Sequence, residues 1–341
     1  MCPRLVIPQG DFGGIGPEVA LKAIARPEIR QRFRPLLIGH LQALQSLADE
    51  MELGLQLSPT ASATEGFERS AADPIPVLEL ETSASTDPPG RPAASFGLAS
   101  VEAVLRAGSL CRAKNADAMV TPPIHKESMH LAGYAFEGQT QILGELSGGK
   151  RYGMLACNGD LKILLATRHM ALREALEKLE ITLVSKQIRV AHEAARDALG
   201  LENPRIALAG LNPHAGEGGA FGKEEIKVLR PAILRSEEEF GFKTTGPVVP
   251  DVVFAEAAQG KWDVVIALYH DQAFIPLKLL GRDMAWTVLV GAPGILRTSP
   301  MHGAAYDIAR TGVADEKPFL YTLERTLDIL KEKGALRKEH P

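Results

Sequence analysis

An α/β protein of two lobes is what the sequence predicts, on three observations. Short runs rich in Val, Ile and Leu alternate with longer amphipathic segments, the pattern of parallel strands joined by crossover helices. The 341 residues exceed what one core of ordinary size closes around, so two packed α/β/α lobes are expected, with the cleft between them as the default ligand site. Hydrophobic residues at 45% against 23% charged supply enough apolar surface to fold most of the chain.

The elements follow in order. Residues 5–7 form a first strand, a glycine-rich turn follows, and a helix starts near Pro17, whose fixed φ and missing N–H suit a first helical turn. Residues 36–39 make a second strand. Between 83 and 95, Pro88, Pro89, Gly90 and Pro92 break regular structure and predict a surface loop. Buried strands are expected over 118–120, 161–166, 206–209, 264–268 and 287–290, with helices between them. No internal repeat interrupts this order.

Charge and composition exclude several classes of partner. A formal net charge of -4, with basic residues scattered, offers no attraction for nucleic acid or anionic lipid. Cys2, Cys111 and Cys157 form no CxxC pair and leave an odd thiol, as in a reducing compartment. No apolar run approaches the roughly 20 residues that span a bilayer, and MCPRLVIPQGD lacks the apolar stretch of a signal peptide. A cytoplasmic protein with no membrane and no nucleic-acid partner is expected.

Three histidines carry the first chemical signal. His169 closes LKILLATRH, His214 closes RIALAGLNPH and His270 closes DVVIALYH, so three distant stretches each deliver an imidazole just beyond an apolar strand. One such histidine is ordinarily a hydrogen-bonded structural residue; three at carboxyl ends of strands, where α/β sheets bind ligands, make a metal site the competing reading. Three neutral imidazoles leave coordination positions open, the layout of a catalytic divalent site for zinc, or for magnesium, manganese or cobalt. Asp271, directly after His270, and Asp251, after GPVVP, are carboxylates placed to orient an imidazole; Asp251 also reads as a helix N-cap.

Glycine-rich turns and isolated cations carry the second. GDFGGIGPE is a strand-to-helix turn but not GxGxxG, so a Rossmann fingerprint is absent and a nicotinamide cofactor would need another cradle. Gly216, Gly218 and Gly219 surround His214 in a loop able to wrap a ligand. Lys278 in IPLKLL and Arg297 in LRTSP are cations on apolar segments, where an anionic substrate group would offset the cost of burial and snorkelling to solvent is the rival explanation.

Taken together, GIGPE, TPPIHK, LNPHAGEGG, YHDQ with Lys278 downstream, and RTSPMHG resemble the 4-hydroxythreonine-4-phosphate dehydrogenase family of pyridoxal phosphate biosynthesis, in order from Gly14 to about Asp315. The resemblance implies a fold like that of isocitrate and isopropylmalate dehydrogenases, with one lobe from 1–125 and 300–341 and a second from 126–299. It implies a homodimer whose subunits share each active site. His169, His214 and His270 then take the metal positions, and Asp251, Asp271 and Lys278 the catalytic ones. Gln139, Thr140, Lys278, Thr287 and Arg297 take the positions that bind a small anionic hydroxy acid. HGAAYDIARTGVAD looks like the loop that cradles the adenosine of NAD or NADP in β-decarboxylating dehydrogenases, which assigns His302, Gly303 and Asp307, with Gly216, to the cofactor. Read without the family, that stretch is a helix start. The implied reaction passes hydride from the carbinol to NAD or NADP, and the β-keto acid loses carbon dioxide. For 4-phosphohydroxy-L-threonine the product is 3-amino-2-oxopropyl phosphate.

The sequence departs from the family where substrate is expected. Gly138-Gln139-Thr140-Gln141 stands where the family carries GHTE, Thr287 where an asparagine is expected, GDFGG for GDPAG, and Met301 for an aspartate. These changes suggest a paralogue acting on threonate or erythronate 4-phosphate, or on the cis-dihydrodiol of terephthalate. Readings of other classes are a metallohydrolase and a non-catalytic metal-dependent binding protein.

Overall fold

The structure, a computed structural model, describes every residue except Met1, Ala71, Lys150, Arg151, Arg168, His169, Arg282, Asp283, His340 and Pro341, and the backbone alone over 335–339. Strands β1 (Arg4–Pro8), β2 (Arg34–Gly39), β3 (Leu57–Pro59), β4 (Ile75–Glu79) and β5 (Ala118–Val120) come first along the chain. They are followed by β6 (Gly153–Asn158), β7 (Leu161–Leu165), β8 (Ile206–Ala209), β9 (Thr244–Val248), β10 (Val264–Ala267), β11 (Ala285–Val290) and β12 (Arg297–Pro300). The chain divides into two compact units, one of 1–152 with 292–341 and one of 153–291.

In the first unit the strand order is β3-β4-β2-β1-β5-β12, all parallel. Leu5, Val6 and Ile7 of β1 are fully buried, because a central parallel strand is covered on both faces and so reads as an unbroken apolar run. The helix Ala94–Arg112 packs against Lys126–Leu131 and Gln139–Ser147. That packing joins 126–152 to the first unit, whereas the sequence reading assigned those residues to the second lobe. Likewise Ser95, read as loop, lies in the first turn of the helix Ala94–Arg112.

In the second unit the order is β11-β6-β7-β10-β8-β9. The expectation of parallel strands fails here: β6 runs antiparallel to both β7 and β11. Gly159 and Asp160 turn β6 directly into β7 between the paired residues Asn158 and Leu161, with Gly159 at φ 55°, where glycine at the first central position favours a tight hairpin. The sequence reading passed over β6 with β3, β4, β9 and β12. Of these, β3 and β12 have only three and four residues, close to the limit at which periodicity says anything.

Candidate active site

In the first unit, Arg297 opens β12 and is 4% exposed. Its Nε donates to Thr121 Oγ1 at 2.8 Å, and among the described residues no carboxylate lies within ion-pair range of it. Burial pushes the guanidinium down to about 9, since nothing nearby compensates its charge. Beside it in sequence, Pro122 O accepts a hydrogen bond from Gln139 Nε2 at 2.9 Å. Gln139 begins the helix Gln139–Ser147, is buried, and its Oε1 has no partner. Turning the amide round would set two acceptors against each other, so the Pro122 carbonyl fixes its orientation. Residues 121–122, at the end of β5, therefore anchor both predicted substrate groups, while Thr140 is half-buried next to Gln139.

The segment starting at His302 is not a helix start. It runs as a loop to a short 3-10 turn, Tyr306–Ile308, with His302 half-buried and Gly303 and Asp307 exposed. Burial holds the His302 imidazole below its ordinary value, and its Nε2 has no partner. The segment is fastened to the first glycine-rich turn. Ile15 N donates to Ala304 O at 2.8 Å, and a Cβ on Gly14 would collide with that same carbonyl. Lys22 Nζ donates to Gly312 O at 2.7 Å and to Ala314 O at 2.8 Å, while Glu18 Oε1 accepts from both Lys22 Nζ and Ala314 N. GIGPE thus supplies a dock for 304–314 as well as a turn, a role its own glycines do not reveal.

Sequence reasoning missed a second link between the same stretches. Tyr306 OH donates to Asp11 Oδ2 at 2.8 Å and lies 2.7 Å from Ser128 Oγ. The tyrosine has one proton and gives it to the carboxylate, so Ser128 donates to the tyrosine. Asp11 is fully buried, and burial raises its carboxyl above the ordinary range despite the donors from Tyr306 and Gly13. An acidic residue inside a glycine-rich turn after a strand was the available signal.

In the second unit, His270 opens the helix His270–Leu279 and its Nδ1 lies 2.7 Å from Asp271 Oδ1. His214 sits in the loop Pro213–Gly219, where φ is positive for six consecutive residues, His214 to Gly219, and is 52° at His214 itself. Such a conformation costs about 1 kcal/mol or more at each non-glycine residue. Glu225 holds the loop in place: its Oε1 accepts from Leu211 N and Asn212 N, both at 2.8 Å. Gly216 faces the same side chain, and a Cβ there would come within 2.7 Å of Glu225 Oε2, so the glycine is explained by packing. His214 Nδ1 lies 3.2 Å from Glu217 Oε2.

His169, the third expected ligand, lies outside the described residues. Among the described residues no three His, Cys, Asp or Glu side chains are placed to hold one ion. Asp251 is exposed in the first turn of Pro250–Ala258 but is not its N-cap, which is Val249. Lys278 is exposed with Nζ 5.8 Å from the centre of the Phe274 ring, so the argument from buried charge applies to Arg297 and not to Lys278. Thr287 is buried within β11.

Known proteins share this arrangement over nearly the whole length. A family model described as pyridoxal phosphate biosynthetic protein PdxA matches residues 31–325. A 4-hydroxythreonine-4-phosphate dehydrogenase of Beijerinckia indica is 39% identical over 312 residues, 91% of this chain and 90% of the relative. A D-threonate 4-phosphate dehydrogenase of Bordetella bronchiseptica is 37% identical over 332 residues, 96% of this chain and 92% of the relative. The crystal structure of the 4-hydroxythreonine-4-phosphate dehydrogenase from Klebsiella pneumoniae superposes with a TM-score of 0.87 at 34% identity, covering 96% of this chain and 98% of that one. With fold, motif order and relatives in agreement, this chain belongs to the pyridoxal phosphate biosynthetic protein PdxA family, a family of dehydrogenases.

Proposed function

We propose that this enzyme oxidises the hydroxyl of a small phosphorylated hydroxy acid with NAD or NADP, with 4-phosphohydroxy-L-threonine as substrate and 3-amino-2-oxopropyl phosphate as product after decarboxylation. The observation that carries the reading is Arg297, a buried guanidinium with no carboxylate in ion-pair range among the described residues. An uncompensated buried cation is costly and is offset by an anionic ligand. Arg297, Gln139, Thr140 and Thr287 bind and orient the acid in this reading, and Lys278 gives a second positive charge.

The donor set suits a divalent cation. His214 and His270 offer imidazole nitrogens, the Asp271 carboxylate engages Nδ1 of His270 in the way that fixes a ligating ring, and His169 completes the set. When bound, the cation supplies electrostatic stabilisation of developing negative charge. Nitrogen donors favour zinc, manganese or cobalt over magnesium. A metallohydrolase would need the same histidines but has no use for a dinucleotide, and the relatives are named dehydrogenases.

A second substrate, D-threonate 4-phosphate, is suggested by the relative named for it, and Gln139 is a departure from the family pattern at the substrate position. That amide gives one of its two N–H donors to Pro122 O and cannot become cationic, so the position holds an anion less firmly than the family's histidine would. We also propose a cytoplasmic homodimer. Ile275, Leu279 and Leu280, 60%, 81% and 48% exposed at the helix His270–Leu279, make an apolar face that a second copy would cover, and all three cysteines are unpaired.

A spectrophotometric assay of reduced cofactor, run on both phosphorylated acids with NAD and with NADP after loading with zinc or manganese, tests the whole reading. Turnover of either acid, abolished by chelation, is expected. No reduction of either coenzyme with any of them would overturn it.

A further inference from the structure

We infer that Tyr306 is a positioning residue for the dinucleotide: its hydroxyl, bridging Ser128 and Asp11, holds the segment that follows His302 in the shape that binds the coenzyme. This rests on the reading of that segment as the coenzyme cradle.

The link joins three stretches far apart in sequence. Asp11 follows β1, Ser128 lies on the helix Lys126–Leu131, and Tyr306 opens the 3-10 turn after β12. The proton path runs one way, from Ser128 to Tyr306 to the Asp11 carboxylate. Packing accounts for the ring but not for the hydroxyl. His125 stacks on the tyrosine with centroids 4.4 Å apart, a contact that phenylalanine would make equally well.

Several local costs fall at this one place. Asp11 is a fully buried carboxylate with no ion-pair partner among the described residues. Ala305, the residue before Tyr306, has φ 42°, in the region that penalises a side chain. His125 Nδ1 is buried without a partner. Gathered costs of this kind point to a constraint imposed by function. What the constraint achieves is visible in the segment. Tyr306 and Ala304 pin its beginning to the first turn, Lys22 pins its end through Gly312 and Ala314, and Gly303 and Asp307 remain exposed. A cradle fixed in advance has less ordering entropy to lose when ligand arrives.

The test measures coenzyme affinity directly, by quenching of protein fluorescence or by calorimetry, on metal-loaded enzyme. Tyr306→Phe, which keeps the ring, is expected to raise the Kd for NAD or NADP about tenfold, as loss of one hydrogen bond to a charged group would. The KM for the hydroxy acid and kcat at saturating coenzyme should stay within about twofold. Asp11→Ala removes the other end of the bond and should reproduce the loss, Asp11→Asn keeps an acceptor and should restore most of the affinity, and Tyr306→Phe combined with Asp11→Ala should be no worse than the weaker single variant. An unchanged coenzyme Kd in folded Tyr306→Phe overturns the inference, as does a loss of kcat at saturation with coenzyme binding intact. If the unmodified protein binds neither NAD nor NADP, the cradle reading itself falls and takes this one with it.

Discussion

Arg297 Nε donates to Thr121 Oγ1 at 2.8 Å inside the first unit, and that neutral hydroxyl is the side-chain partner of a guanidinium only 4% exposed. The charge is therefore held where the fold gains little from it. Arg297→Met, of similar length and apolar, should lower kcat/KM at least a hundredfold. Its thermal midpoint should be unchanged or higher, because replacing a buried, uncompensated charge relieves a desolvation cost. A marked fall in melting temperature with activity retained would show the arginine to be structural.

Gln139 gives a specificity prediction. Its Nε2 gives one N–H to Pro122 O at 2.9 Å, leaving the second N–H and the acceptor Oε1 for anything else. Gln139→His introduces a group able to carry positive charge. The ratio of kcat/KM for phosphorylated over unphosphorylated acids should rise about tenfold. An unaltered ratio in competition assays would remove Gln139 from the list of specificity determinants.

Asp271 orients His270 through a contact of 2.7 Å. Asp271→Asn keeps the shape but makes the partner neutral, and it should weaken the cation about 10- to 100-fold. The activation curve with added metal would shift to higher concentration while the saturated rate changes less. A curve that superposes on that of the unmodified enzyme would remove Asp271 from the metal site.

His192 predicts how stability responds to acid. It is buried in the helix Ile181–Asp197, stacked on Phe242 with centroids 4.6 Å apart, and its Nε2 lies 3.1 Å from Thr244 Oγ1. Burial lowers its imidazole to about 4. An unfolded histidine titrates near ~6.5, so between the two values the unfolded chain binds the proton and the folded chain does not. Stability from this group is complete above about 6.5 and is lost as pH falls toward 4. His192→Gln should show a smaller drop in urea midpoint between pH 7 and pH 5 than the unmodified protein; an equal drop would place the acid sensitivity elsewhere.

The α/β class and many of the buried strands were legible because hydrophobic periodicity is a local property: even the short β5 and β8 fall where the apolar runs place them. Arg297 was legible for a related reason, since a cation amid apolar neighbours stands out in one dimension. The motif order from GIGPE to RTSPMHG sufficed to name the family. Only the tertiary structure decided that Tyr306 meets Asp11 and Ser128, 295 and 178 residues away, or that Gly216 makes room for Glu225. It alone set β6 antiparallel to its neighbours and separated exposed Lys278 from buried Arg297. Side-chain hydrogen bonds between distant segments leave no period and no spacing in the chain. Burial of a single charge depends on what the rest of the fold lays over it.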